Sequence, residues 1–239
     1  MSEFEKSRWA DREFSQDYLD DASFFVPFRK EFIEAVKSLY GHFISPKPAP
    51  KILDLGCGDG LFIQELTRSF KPGRITLADG SPEMLEAARQ RLAGLQDLHF
   101  VQTTFQKLIA DDPLDDTFDF IYSSLAIHHL QREEKEKLYA YIYKHLSHGG
   151  WFVHFDVVMP PSAELEKWYL TLWGEWIKAH LPKGVRNHLL EYPRLYKENP
   201  DNRPDSLDTQ LDVLRNLGFR SVDCFYKYGI FSLFGGCRE

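Results

Sequence analysis

Apolar and polar residues form two different patterns along the chain. Short apolar runs typical of buried strands occur at about 51–55, 74–79, 98–102, 118–123, 150–158, 219–228 and 230–237. Apolar residues at helical spacing predict helices near 60–70, 82–94, 132–147 and 206–217. Strands that alternate with helices favour an α/β fold, in which a mainly parallel sheet of seven strands is covered by helices on both faces.

Glycines mark where several of these elements are expected to end. Gly149 and Gly150 end the predicted helix after His148. Gly218 ends the helix that precedes the sixth strand. Only about Gly229 separates the last two strands, which is too short for a crossover helix. We therefore expect these two strands to pair antiparallel.

Two segments lie outside the alternating pattern. Residues 1–50 read as helical, and residues 159–205 lie between the fifth strand and the helix that follows. Additions after the carboxyl ends of parallel strands border the ligand crevice, so we expect both segments to form a lid over a substrate. The prediction is a single domain over 1–239 with a helical N-terminal cap (1–50), a ligand-binding core (51–158), a lid insertion (159–205) and a C-terminal helix with a strand pair (206–239).

The insertion contains a helix with one apolar half and one polar half. Three of the five tryptophans, Trp168, Trp173 and Trp176, fall on the apolar half. Such a face either packs on the core or forms the aromatic wall of a substrate pocket. Acids and bases are mixed on the polar half, which disfavours a helix lying on a membrane surface. The following residues carry an excess of basic side chains, typical of a solvated surface or of a site for a carboxylate or phosphate: Lys178, Lys183, Arg186, Arg194, Lys197 and Arg203.

Composition and charge narrow the class of protein. The chain has 239 residues, a formal net charge of −7 and a pI near 5.7, which argue against broad nucleic-acid binding. Three cysteines without a C-x-x-C spacing indicate reduced thiols and no zinc site. No secretory signal opens the chain, and no apolar run approaches the roughly 20 residues that cross a bilayer. We expect a cytoplasmic monomer or homodimer without a membrane segment or a metal.

A glycine-rich phrase carries the clearest chemical signal. Residues 52–60 read I-L-D-L-G-C-G-D-G, an apolar run followed by three glycines at alternate positions. Without a Cβ, Gly56, Gly58 and Gly60 let the backbone turn off a strand and lie against a ligand. A dinucleotide fingerprint needs a small residue next, and the chain has Leu61 there. The phrase therefore indicates a nucleoside-type ligand other than a dinucleotide.

Two acids flank this turn. Asp54 and Asp59 stand in a stretch that has no Lys or Arg. Like charges about 4 Å apart repel by about 4 kcal/mol at an effective dielectric constant of about 20. The turn therefore favours a ligand with positive charge over a pyrophosphate. Adenosylmethionine is such a ligand, because it carries a sulfonium and an α-amino group and no phosphate.

Asp79 ends the second predicted strand, ahead of a helix whose start is marked by Ser81 and Pro82. A carboxylate in this place can accept hydrogen bonds from both hydroxyls of a ribose. An acid at this distance from the glycines also suits a nicotinamide enzyme. Together with Leu61 and the acidic turn, Asp79 favours adenosylmethionine over a nicotinamide cofactor.

These motifs resemble the class I adenosylmethionine-dependent methyltransferases, whose first motif has the same acid-x-G-x-G-x-G form. Residues 118–124 and 125–130 resemble the F-D-x-[VI] and L-H-H-L segments of that family. Residues 146–152 resemble its L-x-P-G-G segment, with His148 in place of the proline. The resemblance implies a Rossmann-like sheet with an antiparallel last strand. It also implies S-adenosyl-L-methionine as the cofactor, S-adenosyl-L-homocysteine as the product, and Asp79 as the ribose acceptor.

Further cofactor contacts follow from matching these motifs. Thr104 stands where the family has an acid that binds the adenine amino group, and a hydroxyl can accept that bond without charge assistance. Phe105 either faces the adenine ring or packs in the core. By position, Ser123 and Ser124 lie by the methionine portion. The expected cofactor contacts are Asp54, Gly56, Cys57, Gly58, Asp79, Gly80, Met84, Thr104, Phe105, Ser123 and Ser124.

Methyl transfer from a sulfonium is an in-line displacement, so holding the reactants together can supply roughly 7–11 kcal/mol. A hydroxyl or protonated amine acceptor also gains roughly 10²–10⁴-fold from a general base. Our candidate base is Asp156, late on the fifth strand, where strand ends point into the crevice. The alternative is that this carboxylate orients a neighbouring loop. The histidines His128, His129 and His154 are candidates after Asp156, because paired histidines at a strand-to-helix junction are more often structural than basic.

The C-terminal pattern at 205–222 resembles a subgroup of uncharacterised methyltransferases, and also the carboxy-adenosylmethionine synthases of wobble-uridine tRNA modification. In the synthases an arginine binds the extra carboxylate of the product, and Arg194 precedes Glu198 and Asn199 at the same distance. We expect a methyltransferase with a small-molecule acceptor, whose pocket includes Trp168, Trp173, Trp176 and Arg194. The alternatives are a synthase of this kind and a non-catalytic module that binds the cofactor.

Overall fold

The computed structural model describes residues 24–114, 116–181 and 187–239. Its strands are β1 (Ile52–Leu55), β2 (Ile75–Asp79), β3 (Leu98–Gln102), β4 (Phe118–Ser124), β5 (Leu146–Val157), β6 (Arg220–Tyr228) and β7 (Phe231–Arg238). They form one sheet in the order β3-β2-β1-β4-β5-β7-β6. The pairs from β3 to β5 are parallel, and β7 runs antiparallel to both of its neighbours. The predicted α/β fold with an antiparallel last strand is confirmed.

Helices cover both faces of the sheet. Those in the described residues are α1 (Arg29–Phe43), α2 (Leu61–Thr67), α3 (Pro82–Arg91), α4 (Phe105–Asp111), α5 (Arg132–His145), α6 (Ala163–His180), α7 (Tyr192–Glu198) and α8 (Leu207–Asn216). Buried residues of α1, α2 and α3 pack on one face, and those of α4, α5 and α8 pack on the other. Phe120 and Tyr122 of β4 join the first core and Ile121 the second, because neighbouring strand residues point to opposite faces.

The fifth strand begins earlier than predicted. Strand β5 starts at Leu146, directly after α5, so Gly149 lies inside a strand and ends no helix. Phe118 of β4 pairs with Leu146. Two residues later on β4, Phe120 pairs with Trp151, and the shifted register takes up the extra residues of β5. Gly149 has a φ of 68°, a conformation that glycine adopts without steric cost.

Helix α4 was not indicated by the hydrophobic pattern. It has seven residues, and among them only Leu108 is buried, so it shows almost no apolar period. A local cap starts the helix: Thr104 Oγ1 accepts a hydrogen bond from the Lys107 amide at 3.2 Å. This cap places Thr104 and Phe105 at the carboxyl end of β3.

The N-terminal cap and the insertion are both helical in their described parts, as predicted. Helix α1 belongs to the cap, whose residues 1–23 lie outside the described residues. Helices α6 and α7 belong to the insertion. The two segments meet where Trp173 Nε1 of α6 donates a hydrogen bond to the Phe25 carbonyl at 2.6 Å. We call α1, α6 and α7 together the helical roof.

A span through a lipid bilayer needs a long apolar helix. Within the three described ranges, no helix is long and apolar enough to cross a membrane.

Candidate active site

A cavity of about 560 Å³ lies at the carboxyl ends of β1, β2 and β4. The strand order reverses at β1, which has β2 on one side and β4 on the other. Ligands bind at such a reversal in open α/β sheets. The helical roof covers the opposite side of the cavity and supplies Arg29, Trp173 and Tyr196 to its lining. A volume of this size suits a small-molecule site.

The glycine phrase forms the tight turn that the sequence predicts. Gly56, Gly58 and Gly60 have φ values of 67°, 52° and 75°, in the left-handed region. A Cβ on Gly56 would lie 2.5 Å from the Cβ of Ala126, so the chain needs glycine there. A Cβ on Gly58 would meet no atom within 4 Å. The backbone at Gly58 therefore faces open space in the cavity.

Asp79 is held in place by backbone amides. Its Oδ2 accepts a hydrogen bond from the Gly58 amide at 2.9 Å, and its Oδ1 accepts one from the Ser81 amide at 2.9 Å. Burial raises the pKa of Asp79, and these amide contacts act against that rise. The carboxylate lines the cavity, and each oxygen keeps acceptor capacity for a ligand hydroxyl.

Asp54 provides a test of fit for a cationic ligand. The side chain is 2% exposed and lines the cavity, and its Oδ2 has no hydrogen-bond partner among the described residues. Burial raises the pKa of Asp54 well above its usual range, and the nearby carboxylates of Asp79 and Asp59 raise it further. A buried carboxylate oxygen without a partner is costly, so this position fits a ligand that brings a donor with positive charge.

Asp59 has a basic partner from outside the turn. The Arg91 guanidinium of α3 forms an ion pair with the Asp59 carboxylate, and Arg91 Nε donates to the Asp59 carbonyl at 3.0 Å. Arg91 follows the turn by more than thirty residues, so only the packing of α3 brings it there. Of the two acids that flank the turn, only Asp54 therefore lacks a basic partner among the described residues.

Thr104 and Phe105 line the cavity at its far end, together with Gly80, Met84 and Cys57. The Thr104 hydroxyl already accepts the Lys107 amide as the cap of α4, so its own O–H is the donor left for a ligand. Burial raises the pKa of the Cys57 thiol well above its usual range. Cys57 is therefore a neutral thiol in the wall of the cavity.

The two serines at the end of β4 face opposite ways. Ser124 lines the cavity. Ser123 is fully buried, and its Oγ donates a hydrogen bond to the Leu55 carbonyl at 2.7 Å. Adjacent strand residues alternate between faces, so the two side chains cannot reach the same ligand. The expected cofactor contact at Ser123 therefore differs from the structure.

The predicted base, Asp156, lies beneath the cavity and outside its lining. It is 1% exposed and accepts four hydrogen bonds. Its Oδ1 accepts from His128 Nδ1 at 2.6 Å and from the Val157 amide at 2.8 Å. Its Oδ2 accepts from the His128 amide and from His154 Nε2, both at 2.9 Å. A carboxylate with this many donors orients its neighbours and is not placed to remove a proton from an acceptor.

Charge keeps Asp156 ionised. Burial alone would raise its pKa, but contacts with His128 and His154 outweigh burial and hold the pKa well below its usual range. An ionised carboxylate only accepts hydrogen bonds, so the Nδ1 of His128 carries the proton that they share. The ring of His128 lines the cavity, and its Nε2 then has a free lone pair. His128, which the sequence ranked after Asp156, is therefore the candidate base.

A buried polar chain supports Asp156 from behind. His154 is fully buried, with its Nδ1 3.3 Å from the Tyr139 hydroxyl. That hydroxyl donates to Gln210 Oε1 of α8 at 2.6 Å. The chain runs from β5 through α5 to α8, which links the orientation of His128 to the packing of one whole face of the sheet.

One of the three predicted tryptophans reaches the cavity. Trp173 lines it, whereas Trp168 is 55% exposed and Trp176 stacks on His180 at 4.2 Å. Side chains at 168, 173 and 176 are spread around α6 too widely to face one pocket.

Arg194 also lies outside the cavity. Its guanidinium is exposed and pairs with Glu191 at 2.9 Å and with Glu198 at 2.5 Å. These partners lie three and four residues away along the chain, so the three side chains share one surface of the helix. The expected pocket role of Arg194 therefore differs from the structure.

Other residues of the lining were missed by sequence analysis. Arg29 comes from α1, Tyr192 from α7, and Asn199 and Arg203 from the segment after α7. The excess of basic residues before 205 was a signal for Arg203, but nothing in the sequence set Arg29 apart. No group of three or more potential metal ligands occurs in the part of the chain that the structure describes.

Known proteins resemble this chain in sequence and in fold. A family model described as methyltransferase domain matches residues 52–150. The chain is 30% identical over 180 residues to the demethylmenaquinone methyltransferase of Clavibacter sepedonicus. This alignment covers 75% of this chain and 69% of that protein. The chain is 22% identical over 232 residues to the carboxy-S-adenosyl-L-methionine synthase of Nautilia profundicola, which covers 96% and 94%. The chain spans only 30–42% of the length of the first curated relatives it matches.

Among solved structures, an O-methyltransferase family protein from Burkholderia thailandensis aligns with a TM-score of 0.68 at 15% identity. The alignment covers 98% of this chain and 63% of that chain, and at this identity it shows the fold. The chain therefore belongs to the class I S-adenosylmethionine-dependent methyltransferases.

Proposed function

We propose that the protein transfers a methyl group from S-adenosyl-L-methionine to a nucleophilic atom of a small-molecule acceptor. The observation that carries this proposal is the position of His128, which faces the cavity with its Nδ1 bound to buried Asp156. The acceptor would lie between the cofactor and the helical roof, whose residues Arg29, Trp173 and Tyr196 line the cavity.

The charged and polar side chains of the cavity can be matched to the groups of S-adenosyl-L-methionine. Asp54, with its unpartnered oxygen, would accept from the α-amino group, and Asp79 from the ribose hydroxyls. Arg29 is the candidate for the carboxylate of the cofactor, because this basic side chain lines the same cavity as Asp54. Thr104 would donate to the adenine ring. The remaining candidate contacts are Gly56, Cys57, Gly58, Gly80, Met84, Phe105 and Ser124.

When bound, the cofactor supplies an electrophilic methyl group on a sulfonium. The protein's own contribution begins with position, because an acceptor held in line with that methyl gains roughly 7–11 kcal/mol. Trp173, Tyr196 and Phe231 form an aromatic wall at 5.1–5.7 Å between ring centroids. This wall would exclude water and limit how the acceptor turns.

His128 would act on the proton of the acceptor. A hydroxyl loses its proton as the new bond to carbon forms, whereas an ammonium must lose one before its nitrogen can attack. The Nε2 lone pair would take the proton in either case. Asp156 would hold the ring in the required tautomer and balance the charge of the imidazolium that results. The proton then leaves to solvent after the products dissociate.

The first test is product formation. Purified protein is incubated with S-adenosyl-L-methionine and a panel of small hydroxylated and amine acceptors, and S-adenosyl-L-homocysteine is measured by mass spectrometry. We expect an acceptor-dependent product. His128→Gln should lower kcat by roughly 10²–10⁴-fold with cofactor affinity unchanged, because it removes only the base. In a thermal-shift assay, stabilisation of the protein by NAD but not by S-adenosyl-L-methionine or S-adenosyl-L-homocysteine would refute the proposal.

A second candidate is a carboxy-S-adenosyl-L-methionine synthase. Its support is the match to the Nautilia profundicola protein, which extends over 96% of this chain. Mass spectrometry of the ligand that remains bound through purification separates the two candidates. A carboxylated cofactor favours the synthase, and the unmodified cofactor or its demethylated product favours the methyltransferase.

A further inference from the structure

Arg203 is held beside the candidate base by its own backbone. Its amide donates a hydrogen bond to the His128 carbonyl at 2.9 Å, and its Nη1 lies 3.4 Å from the His129 carbonyl. The Arg203 carbonyl accepts from Lys135 Nζ, which also bonds to Asp205 Oδ2 at 2.8 Å. Lys135 is 3% exposed, so residues 203–205 are fixed to helix α5.

No ion pair neutralises the charge of Arg203 within the described ranges. Its half-buried side chain lines the cavity, and no described carboxylate forms an ion pair with its guanidinium. Asp201 also lines the cavity, but no ion pair joins it to Arg203 among the described residues. By contrast, Arg91 and Arg194 both have acidic partners. A partly desolvated guanidinium binds a planar oxyanion with two parallel hydrogen bonds.

Aromatic side chains also line this half of the cavity. Phe25 and Tyr192 stack at 4.0 Å between ring centroids, and Trp173 meets Tyr196 and Phe231 edge to face. Such walls suit a flat apolar body. A single arginine with an acid two residues away suits a monoanion better than a dianionic phosphate.

From these observations we infer that Arg203 is a specificity-determining residue that binds a carboxylate on a flat, apolar acceptor. The inference rests on the proposed function, because Arg203 would hold the carboxylate while the nucleophilic atom of the same molecule reaches His128 Nε2. Arg29 serves the cofactor in that proposal, which leaves Arg203 for the acceptor.

The test uses a matched pair of probes, 4-hydroxybenzoate and its neutral methyl ester. Each is titrated by calorimetry into the full-length protein loaded with S-adenosyl-L-homocysteine. We expect wild type to bind the acid at least about tenfold more tightly than the ester, because a charge-assisted pair is lost in the ester. Arg203→Gln should remove this preference, and Arg203→Lys should keep part of it. Arg194→Gln, a change to an exposed arginine outside the cavity, should keep all of it.

Three outcomes overturn the inference: equal binding of the two probes, no binding of the acid at millimolar concentration, or an unchanged preference in Arg203→Gln. Binding of S-adenosyl-L-homocysteine is measured first for each variant, and thermal unfolding confirms that it is folded. If the wild-type protein does not bind S-adenosyl-L-homocysteine, that result would count against the proposed function itself. Intact binding without a charge preference would count against Arg203 alone.

Discussion

Replacement of Asp156 by Asn tests the candidate base through its buried partner. The change keeps the shape of the side chain and exchanges one acceptor oxygen for an amide nitrogen that can only donate. In the wild type each carboxylate oxygen accepts two hydrogen bonds, from His128 Nδ1 and the Val157 amide on one side and from the His128 amide and His154 Nε2 on the other. Either orientation of the amide therefore sets donor against donor at two contacts.

The size of the effect follows from those two contacts. A hydrogen bond to a charged group contributes about 1.5–3 kcal/mol, so the loss of two predicts a decrease of about 3–6 kcal/mol in the free energy of unfolding. This loss lies within the usual 5–15 kcal/mol stability of a domain, and we expect the variant to be folded at low temperature. Calorimetry and urea unfolding measure it.

The catalytic effect is separate from the loss of stability. An amide nitrogen facing His128 Nδ1 favours the tautomer with its proton on Nε2, which leaves no lone pair toward the cavity. We expect kcat to fall by roughly 10²–10⁴-fold, the range for a lost general base. Affinity for S-adenosyl-L-homocysteine should not change, because Asp156 does not line the cavity. A folded Asp156→Asn protein with kcat within a few fold of wild type would refute the assignment of His128 as base.

Acid adds an independent readout for the same residue. The folded state holds the pKa of Asp156 well below its usual range. A carboxyl with a lowered pKa stabilises the protein above its unfolded pKa of about 3.9, and this contribution is lost as pH falls below that value. Wild type should therefore lose stability on acidification more steeply than Asp156→Asn. Parallel curves of unfolding free energy against pH would contradict this account.

Three further changes probe other parts of the site. Gly56→Ala should cost about 1–3 kcal/mol of stability, because its Cβ would lie 2.5 Å from Ala126 Cβ; an unchanged Tm would contradict the packing. Asp79→Ala should weaken cofactor binding by about 1.5–3 kcal/mol for each hydrogen bond lost, measured by calorimetry, and an unaltered Kd would place the ribose elsewhere. Lys135→Met should lower stability by about 1.5–3 kcal/mol and raise the acceptor KM, with cofactor Kd unchanged, because it frees Asp205; no change in either quantity would show that this tether is unimportant.

Local patterns were enough to predict most of the fold. Buried strands such as β1 and β2 are short apolar runs whose limits are marked by polar residues, and the structure places them within one residue of the prediction. Helix caps can also be predicted from the sequence. Ser81 Oγ accepts a hydrogen bond from the Met84 amide at the start of α3. The exceptions have local causes. Strand β5 extends through Gly149 because β4 shifts its register there, and α4 is too short to show a period.

The chemistry of the cofactor half was likewise readable from sequence, because its residues lie close together in the chain. Gly56, Gly58 and Asp79 need only a strand, a turn and a neighbouring strand to meet. Even so, Arg91 shows the limit of this reasoning. It neutralises Asp59 from a different helix, and no spacing rule predicts that contact.

The acceptor half was decided by tertiary structure. Sequence placed an acid on β5 and a histidine pair after β4, but not that Asp156 lies beneath His128 and holds its ring toward the cavity. It placed basic residues after α6, but not that Arg194 turns outward to Glu198 while Arg203 turns inward. Periodicity reports which residues are buried and which elements they form. Which charged groups meet depends on how separate elements pack, and that is settled only when the whole sheet and its helices come together.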